Sequence, residues 1–375
     1  MRIALILCLA LAACVPTLAP QAEAPAGGAP TLVDPEELIV LTAKDPAVLV
    51  ARAQERGYVL RDVHPLAELE DTLVVLRIPE GTTIPEAIEE IERAVPGTTA
   101  GAHHVYRLQA DTRSDRRYAA QMINWPPAGC RARARVGLID AGVAPDHPGL
   151  ADGRVEQRSF TGTATAPATD HGTVMAELLV GPNRLRGTTV YSANVIDPAL
   201  GAGDAAGVVA ILRGVDWLAA KGVDIVNISL AGPRNKLLNR ALGQAAADGM
   251  ILVAAVGNLG PRHPPQFPAA FPFALAVTAV DRDGKIYRDA IRGTHVDIAA
   301  PGVDILVSAQ GRLKVSSGTS LAAPFVTGIL ATEPGLAGLN IDALRRELAR
   351  RAVDLGAPGR DKTFGLGLLR SSEGC

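Results

Sequence analysis

The chain has 375 residues, room for a main domain of about 250 residues beside a smaller unit. Its 37 Lys plus Arg nearly balance 39 Asp plus Glu, and aromatic residues make up 3%, which argues against a nucleic-acid partner and against base-stacking platforms. A hydrophobic content of 48% with 38 Gly suits an Ala- and Val-rich α/β core with tight turns.

Arg2 and the apolar run from Ile3 to Ala13 open the chain. The run is shorter than the roughly 20 residues that span a bilayer, so residues 1–14 are expected to be an export signal. Leu11-Ala-Ala-Cys14 resembles a bacterial lipobox, which implies a lipid anchor on Cys14 and a place in the cell envelope; simple cleavage and release is the alternative. Residues 15–36, rich in Ala, Pro and Gly, are expected to form a flexible tether. Over 37–109 the patterns predict a strand at 38–42, a helix at 46–56, strands near 58–63 and 73–78, a second helix and a last strand near 103–108. Thr83 and Glu86 fit a capping box for the second helix, whose apolar stripe is Ile84, Ile88 and Ile91. The order βαββαβ suggests a small ferredoxin-like α+β domain.

Residues 110–126 read as a linker, polar and Arg-rich up to Tyr118 and open to cleavage. Export exposes Cys130 and Cys375 to an oxidising compartment with only each other as partners, so a disulfide is expected between them. Across 127–375, strands at 136–139, 190–196, 224–230 and 251–256 alternate with helices after His171, at 208–220 and at 237–247. Continuous apolar strands in βα alternation predict a mostly parallel sheet covered on both faces, a three-layer α/β domain.

Three segments each place a reactive side chain beside Gly or small residues at the end of a strand or the start of a helix. They are Val136-Gly-Leu-Ile-Asp140-Ala-Gly142, Asp170-His171-Gly172-Thr173 and Ser317-Gly-Thr-Ser320-Leu-Ala-Ala-Pro324. Singly, the Asp reads as a turn residue, the His as structural and the Ser as a helix cap. Together, in the order Asp, His, Ser, the chain resembles the subtilisin-like serine proteases, or subtilases. The resemblance extends to Asp146-His147-Pro148, the strand Asp224 to Gly232, Ala254-Ala-Val-Gly-Asn258, Ala300-Pro301-Gly302 and Gly365-Leu-Gly-Leu368.

The resemblance implies a subtilisin-like fold and a serine endopeptidase with Asp140, His171 and Ser320 as its triad and Asn258 in the oxyanion hole. It further implies that the unit at 37–109 is a propeptide that inhibits the enzyme and assists its folding. Protein or peptide substrate is expected to add as a strand beside Leu230, Ala231 and Gly232, with Ala255, Gly257 and Gln266 lining the main pocket for an uncharged apolar residue. Val174, Glu177, Leu321, Ala323 and Phe325 depart from the family pattern. No cofactor is expected, no oxygen-ligand cluster for calcium is legible, and calcium binding stays open. Two rivals stand beside this reading. One is a catalytically silent or permanently masked binding module; the other takes Gly201-Ala-Gly203-Asp-Ala-Ala-Gly207 with Asp224 as a dinucleotide site, against which Asp224 begins its strand.

Overall fold

The computed structural model describes residues 32–108, 118–144, 146–150, 154–161, 170–200, 205–309, 312–372 and 375. The expected export signal, the Cys14 anchor, most of the tether and the cleavage zone up to residue 117 lie outside these. Among the described residues no helix is long and apolar enough to cross a membrane.

The N-terminal unit runs β1 (Glu37–Thr42), α1 (Pro46–Gln54), β2 (Val59–Leu66), β3 (Asp71–Arg77), α2 (Ile84–Ala94) and β4 (Thr99–Ala102). Its antiparallel sheet has the order β2-β3-β1-β4, with Val40 opposite Val74 and Leu38 opposite Ala102. The capping box forms: Thr83 Oγ1 accepts from the Glu86 N–H, and the Glu86 carboxylate accepts from the Thr83 N–H. Every residue from Leu38 to Leu41 is fully buried, because both faces of the sheet are covered. Leu38 and Val40 pack with Leu49, Ala53 and Ile91 under the unit's own helices. Ile39, Leu41, Leu73 and Val75 face the larger domain, where they join Leu212, Leu237 and Leu242.

The last strand differs from the expectation. The chain breaks at His103–His104 into β4 and a separate strand, β5 (Val105–Leu108), and only β4 belongs to the unit's sheet. β4 carries Thr-Ala-Gly-Ala, which has no apolar periodicity, because a helix of the larger domain presses on it: a Cβ on Gly101 would lie 3.1 Å from Leu237.

The larger domain contains β6 (Val136–Asp140), β7 (Val155–Ser159), α3 (Asp170–Val180), β8 (Val190–Asn194), β9 (Ala205–Gly207), α4 (Val208–Ala220), β10 (Ile225–Ile228), β11 (Leu230–Ala231) and α5 (Lys236–Ala247). It continues with β12 (Ile251–Ala255), β13 (Ala274–Val280), β14 (Ile298–Pro301), the hairpin β15 (Ile305–Ala309) and β16 (Arg312–Ser316), α6 (Thr319–Thr332) and α7 (Ile341–Arg351). Seven strands form a wholly parallel sheet in the order β14-β13-β12-β10-β6-β8-β7. Helix α6 is buried along all fourteen of its residues. Residues 118–126, read as linker, pack onto this domain instead. The Tyr118 hydroxyl donates toward the carbonyls of Val280 and Val303, Trp125 Nε1 donates to Asn183, and Ile123 is fully buried.

Near the C-terminus the fully buried Asp297 carboxylate accepts from Arg345, from Arg360 and from the Ala276 N–H, pinning α7 and a terminal loop to the sheet. Cys130 and Cys375 sit with Cα atoms 5.5 Å apart and their sulfurs in bonding contact.

Candidate active site

Asp140 is the last residue of β6, in the middle of the parallel sheet, and is fully buried. Its Oδ1 accepts from the Ala141 N–H at 2.7 Å and lies 2.7 Å from His171 Nδ1. His171 is the second residue of α3. Gly172 lets this helix close on β6: a Cβ there would lie 2.0 Å from the Ala141 carbonyl oxygen. With Nδ1 held by the carboxylate, the opposite ring nitrogen is the one left to exchange a proton; Nε2 is buried and has no hydrogen-bond partner among the described residues.

Ser320 is the second residue of α6 and is fully buried. Pro324, four residues on, has no N–H to give the Ser320 carbonyl, so that oxygen lacks its normal helical donor. The hydroxyl of Ser229, between β10 and β11, approaches it at 3.4 Å and lies 3.5 Å from Met175 Sδ on the histidine's helix. Ser229 in turn receives a hydrogen bond from Asn227 Nδ2, whose Oδ1 accepts from Thr327 of α6. A buried polar chain therefore links the helices that carry His171 and Ser320.

Asn258 follows β12. Its Oδ1 accepts from both the N–H and the hydroxyl of Thr319, at 3.0 and 2.9 Å. That fixes the side-chain amide beside the first turn of α6 with its NH2 as the donor end. Thr319 Oγ1 also accepts from the Gly257 N–H. Gly257 has φ +100°, and a Cβ there would lie 3.0 Å from Ile291 and 3.6 Å from both Ala231 and Gln266. These residues surround one spot, with Ile291 as an apolar wall that has no motif in the sequence. Ala255 is fully buried at the end of β12.

The edge beside Leu230 and Ala231 is filled by the chain itself. β5 pairs antiparallel with β11, Leu108 opposite Leu230 and Arg107 opposite Ala231, and on its other side with β9, Tyr106 opposite Ala206. The backbone bonds of Gly232 go to Phe267. It is also a floor for Tyr106 of the cleft strand, since a Cβ on Gly232 would lie 2.5 Å from the ring. The Tyr106 side chain is fully buried and donates to the Pro233 carbonyl at 2.9 Å; burial holds its phenol far above the ordinary value, so it stays a donor at any physiological pH. The described part of the Gly-rich run, Ala205–Gly207, is a cleft strand, and Asp224 accepts from the Arg135 N–H, both of which count against the dinucleotide reading, while residues 201–204 of the run lie outside the described residues.

A wholly parallel seven-stranded sheet flanked by helices, with an aspartate ending a central strand and a histidine and a serine each opening a helix, has the architecture of a subtilisin-like fold. The sequence profile of the subtilase family matches residues 132–367, and the chain belongs to that family. Its relatives include subtilisin DY of Bacillus licheniformis, 30% identical over 60% of this chain and 85% of that one, and thermitase of Thermoactinomyces vulgaris, 30% identical over 67% and 95%. The minor extracellular protease Epr of Bacillus subtilis is 31% identical over 63% of this chain, which spans only 37% of Epr. In fold it resembles fervidolysin of Fervidobacterium pennivorans, with a TM-score of 0.71 at 21% identity over 89% of this chain and 60% of that one.

Proposed function

We propose that the protein is an exported serine endopeptidase that acts through an acyl-enzyme on Ser320 and is held latent by its own N-terminal unit. The observation that carries the reading is the cleft: a strand lies antiparallel along Leu230–Ala231, in the manner of a peptide substrate, in a domain whose Asp140 and His171 are paired at 2.7 Å. In the proposed reaction the Ser320 Oγ attacks the scissile carbonyl as His171 Nε2 takes its proton. Asp140 holds the tautomer and the imidazolium that results. The oxyanion is received by Asn258 Nδ2 and the Ser320 N–H at the start of α6. His171 returns the proton to the leaving amine, and water hydrolyses the ester by the same route. Ala231, Gly257, Gln266 and Ile291 support an uncharged, apolar residue before the cut bond. A lipid on Cys14, a Cys130–Cys375 disulfide and removal of residues 37–109 complete the proposal.

The test is intact mass after treatment with a fluorophosphonate, on protein lacking residues 1–14. One adduct on the wild type and none on Ser320→Ala establishes the nucleophile. Full burial of Ser320 favours a second reading, a permanently masked module. Absence of both adduct and self-cleavage puts that reading first.

A further inference from the structure

His104 sits at the seam between the N-terminal unit and the larger domain, at the bend that hands the chain from β4 to the cleft strand β5. Across the seam, Asn235 caps α5: its Oδ1 accepts from the N–H groups of Leu237 at 2.8 Å and Leu238 at 3.3 Å. With Oδ1 committed, only NH2 hydrogens are left to cross the seam. One donates to the Ala102 carbonyl at 2.9 Å, the other points at His104 Nδ1 at 3.0 Å. His104 Nδ1 must therefore accept, which only a neutral imidazole can do. A protonated ring would set N–H against N–H, and the amide cannot turn over without uncapping α5. The positive end of that helix opposes a cation at the same spot.

The neighbouring charges offer no relief. His103 is buried beside it and gives Nδ1 to Glu37 of β1 at 2.9 Å, while its Nε2 faces Gly207 of the larger domain. Lys236, next to the cap, is held by Glu92 of α2 at 2.6 Å. Glu37 and Glu92 thus already have side-chain partners of their own.

We propose that this contact is a proton-operated latch: the N-terminal unit docks only while His104 is neutral, and acidification loosens β5 from the cleft. The latch rests on the reading of that unit as the inhibitor, but its operation is a property of docking and needs no catalysis. Burial, then the nearby His103, lowers the pKa of docked His104 below the ordinary 6.5. Undocking restores the ordinary value, so the undocked state takes up a proton. Docking is strongest above about pH 6.5 and weakens as pH falls below it, by at most about tenfold per pH unit for one proton.

The experiment uses the full chain carrying Ser320→Ala, which cannot process itself, and hydrogen exchange at residues 99–108 and 230–247, corrected for the intrinsic rate. Protection is expected to fall about tenfold between about pH 7.5 and about pH 5.5. His104→Asn keeps an acceptor in place of Nδ1 and does not titrate; it is expected to flatten the profile. Asn235→Ser keeps a good helix cap and removes the obligatory donor, and is expected to flatten it too. Protection independent of pH in the parent chain, or the same fall in both variants, overturns the latch. Failure of the wild type to take up fluorophosphonate overturns the catalytic reading alone.

Discussion

The amide of Asn258 has two separable jobs, and substitutions can pull them apart. Its oxygen holds the N–H and hydroxyl of Thr319 at the start of α6; its NH2 is assigned to the oxyanion. Asn258→Ala removes both. Two hydrogen bonds at about 1 kcal/mol each, plus the penalty of an orphaned donor at the helix start, predict a destabilisation of about 2–4 kcal/mol. Removing such a donor in a subtilisin lowers turnover by about 10²–10³. Asn258→Asp keeps an acceptor for Thr319 and loses the donor, while setting a carboxylate against the developing oxyanion. Its stability is expected within about 1 kcal/mol of the wild type and its turnover below that of the alanine variant. Urea unfolding and kcat on a peptide ester, measured on both variants, test the pair. An Asp variant with near-normal kcat refutes the oxyanion assignment, and an Ala variant with unchanged stability refutes the capping argument.

Tyr106→Ala empties a fully buried site on β5 and is expected to weaken docking of the N-terminal unit by about 3–5 kcal/mol, whereas Tyr106→Phe loses only the bond to Pro233, about 1 kcal/mol. Equal exchange protection at residues 230–247 in the two variants contradicts this. Asp297→Ala strands Arg345 and Arg360 at the C-terminal layer and should destabilise by about 3–5 kcal/mol, a fall in Tm of roughly 6–20 °C, with kcat unchanged at low temperature. An unchanged Tm means the cluster is replaceable. Cys375→Ser opens a closure across 245 residues, which chain entropy values at about 5 kcal/mol at most; no change in urea midpoint argues against a bridge in the parent protein.

Much of the fold was legible because its signals are local. The helix at 208–220 and the core strands follow apolar runs and breaks that neighbouring residues define. The strand end at Asp140 and the helix starts at His171 and Ser320 were legible for the same reason, each carrying its Gly or small-residue context along the chain. What escaped depends on partners distant in sequence. β4 lacks a strand pattern because α5 approaches it closely and permits only small side chains. The backbone pairing of Gly232 had no local signal because its partner, Phe267, lies thirty-five residues on. The contact of Ser229 with Ser320 had no signal, since it depends on Pro324, ninety-five residues on, withholding an N–H from the Ser320 carbonyl. Ile291 and Tyr106 likewise gain meaning only from the loops and strands folded against them.

On the proposed reading, the three-stranded arrangement of β9, β5 and β11 implies a rule about which proteins this cleft would read. Its outer strands flank a slot one strand wide, about 9–10 Å from edge to edge at normal spacing. A chain entering it must offer unpaired backbone on both sides at once. A helix is too thick, and an edge strand of a folded sheet has one side already taken. With β5 gone, the slot would admit only segments with no secondary structure of their own, so it would sort potential victims by whether they are locally unfolded before any side chain is inspected.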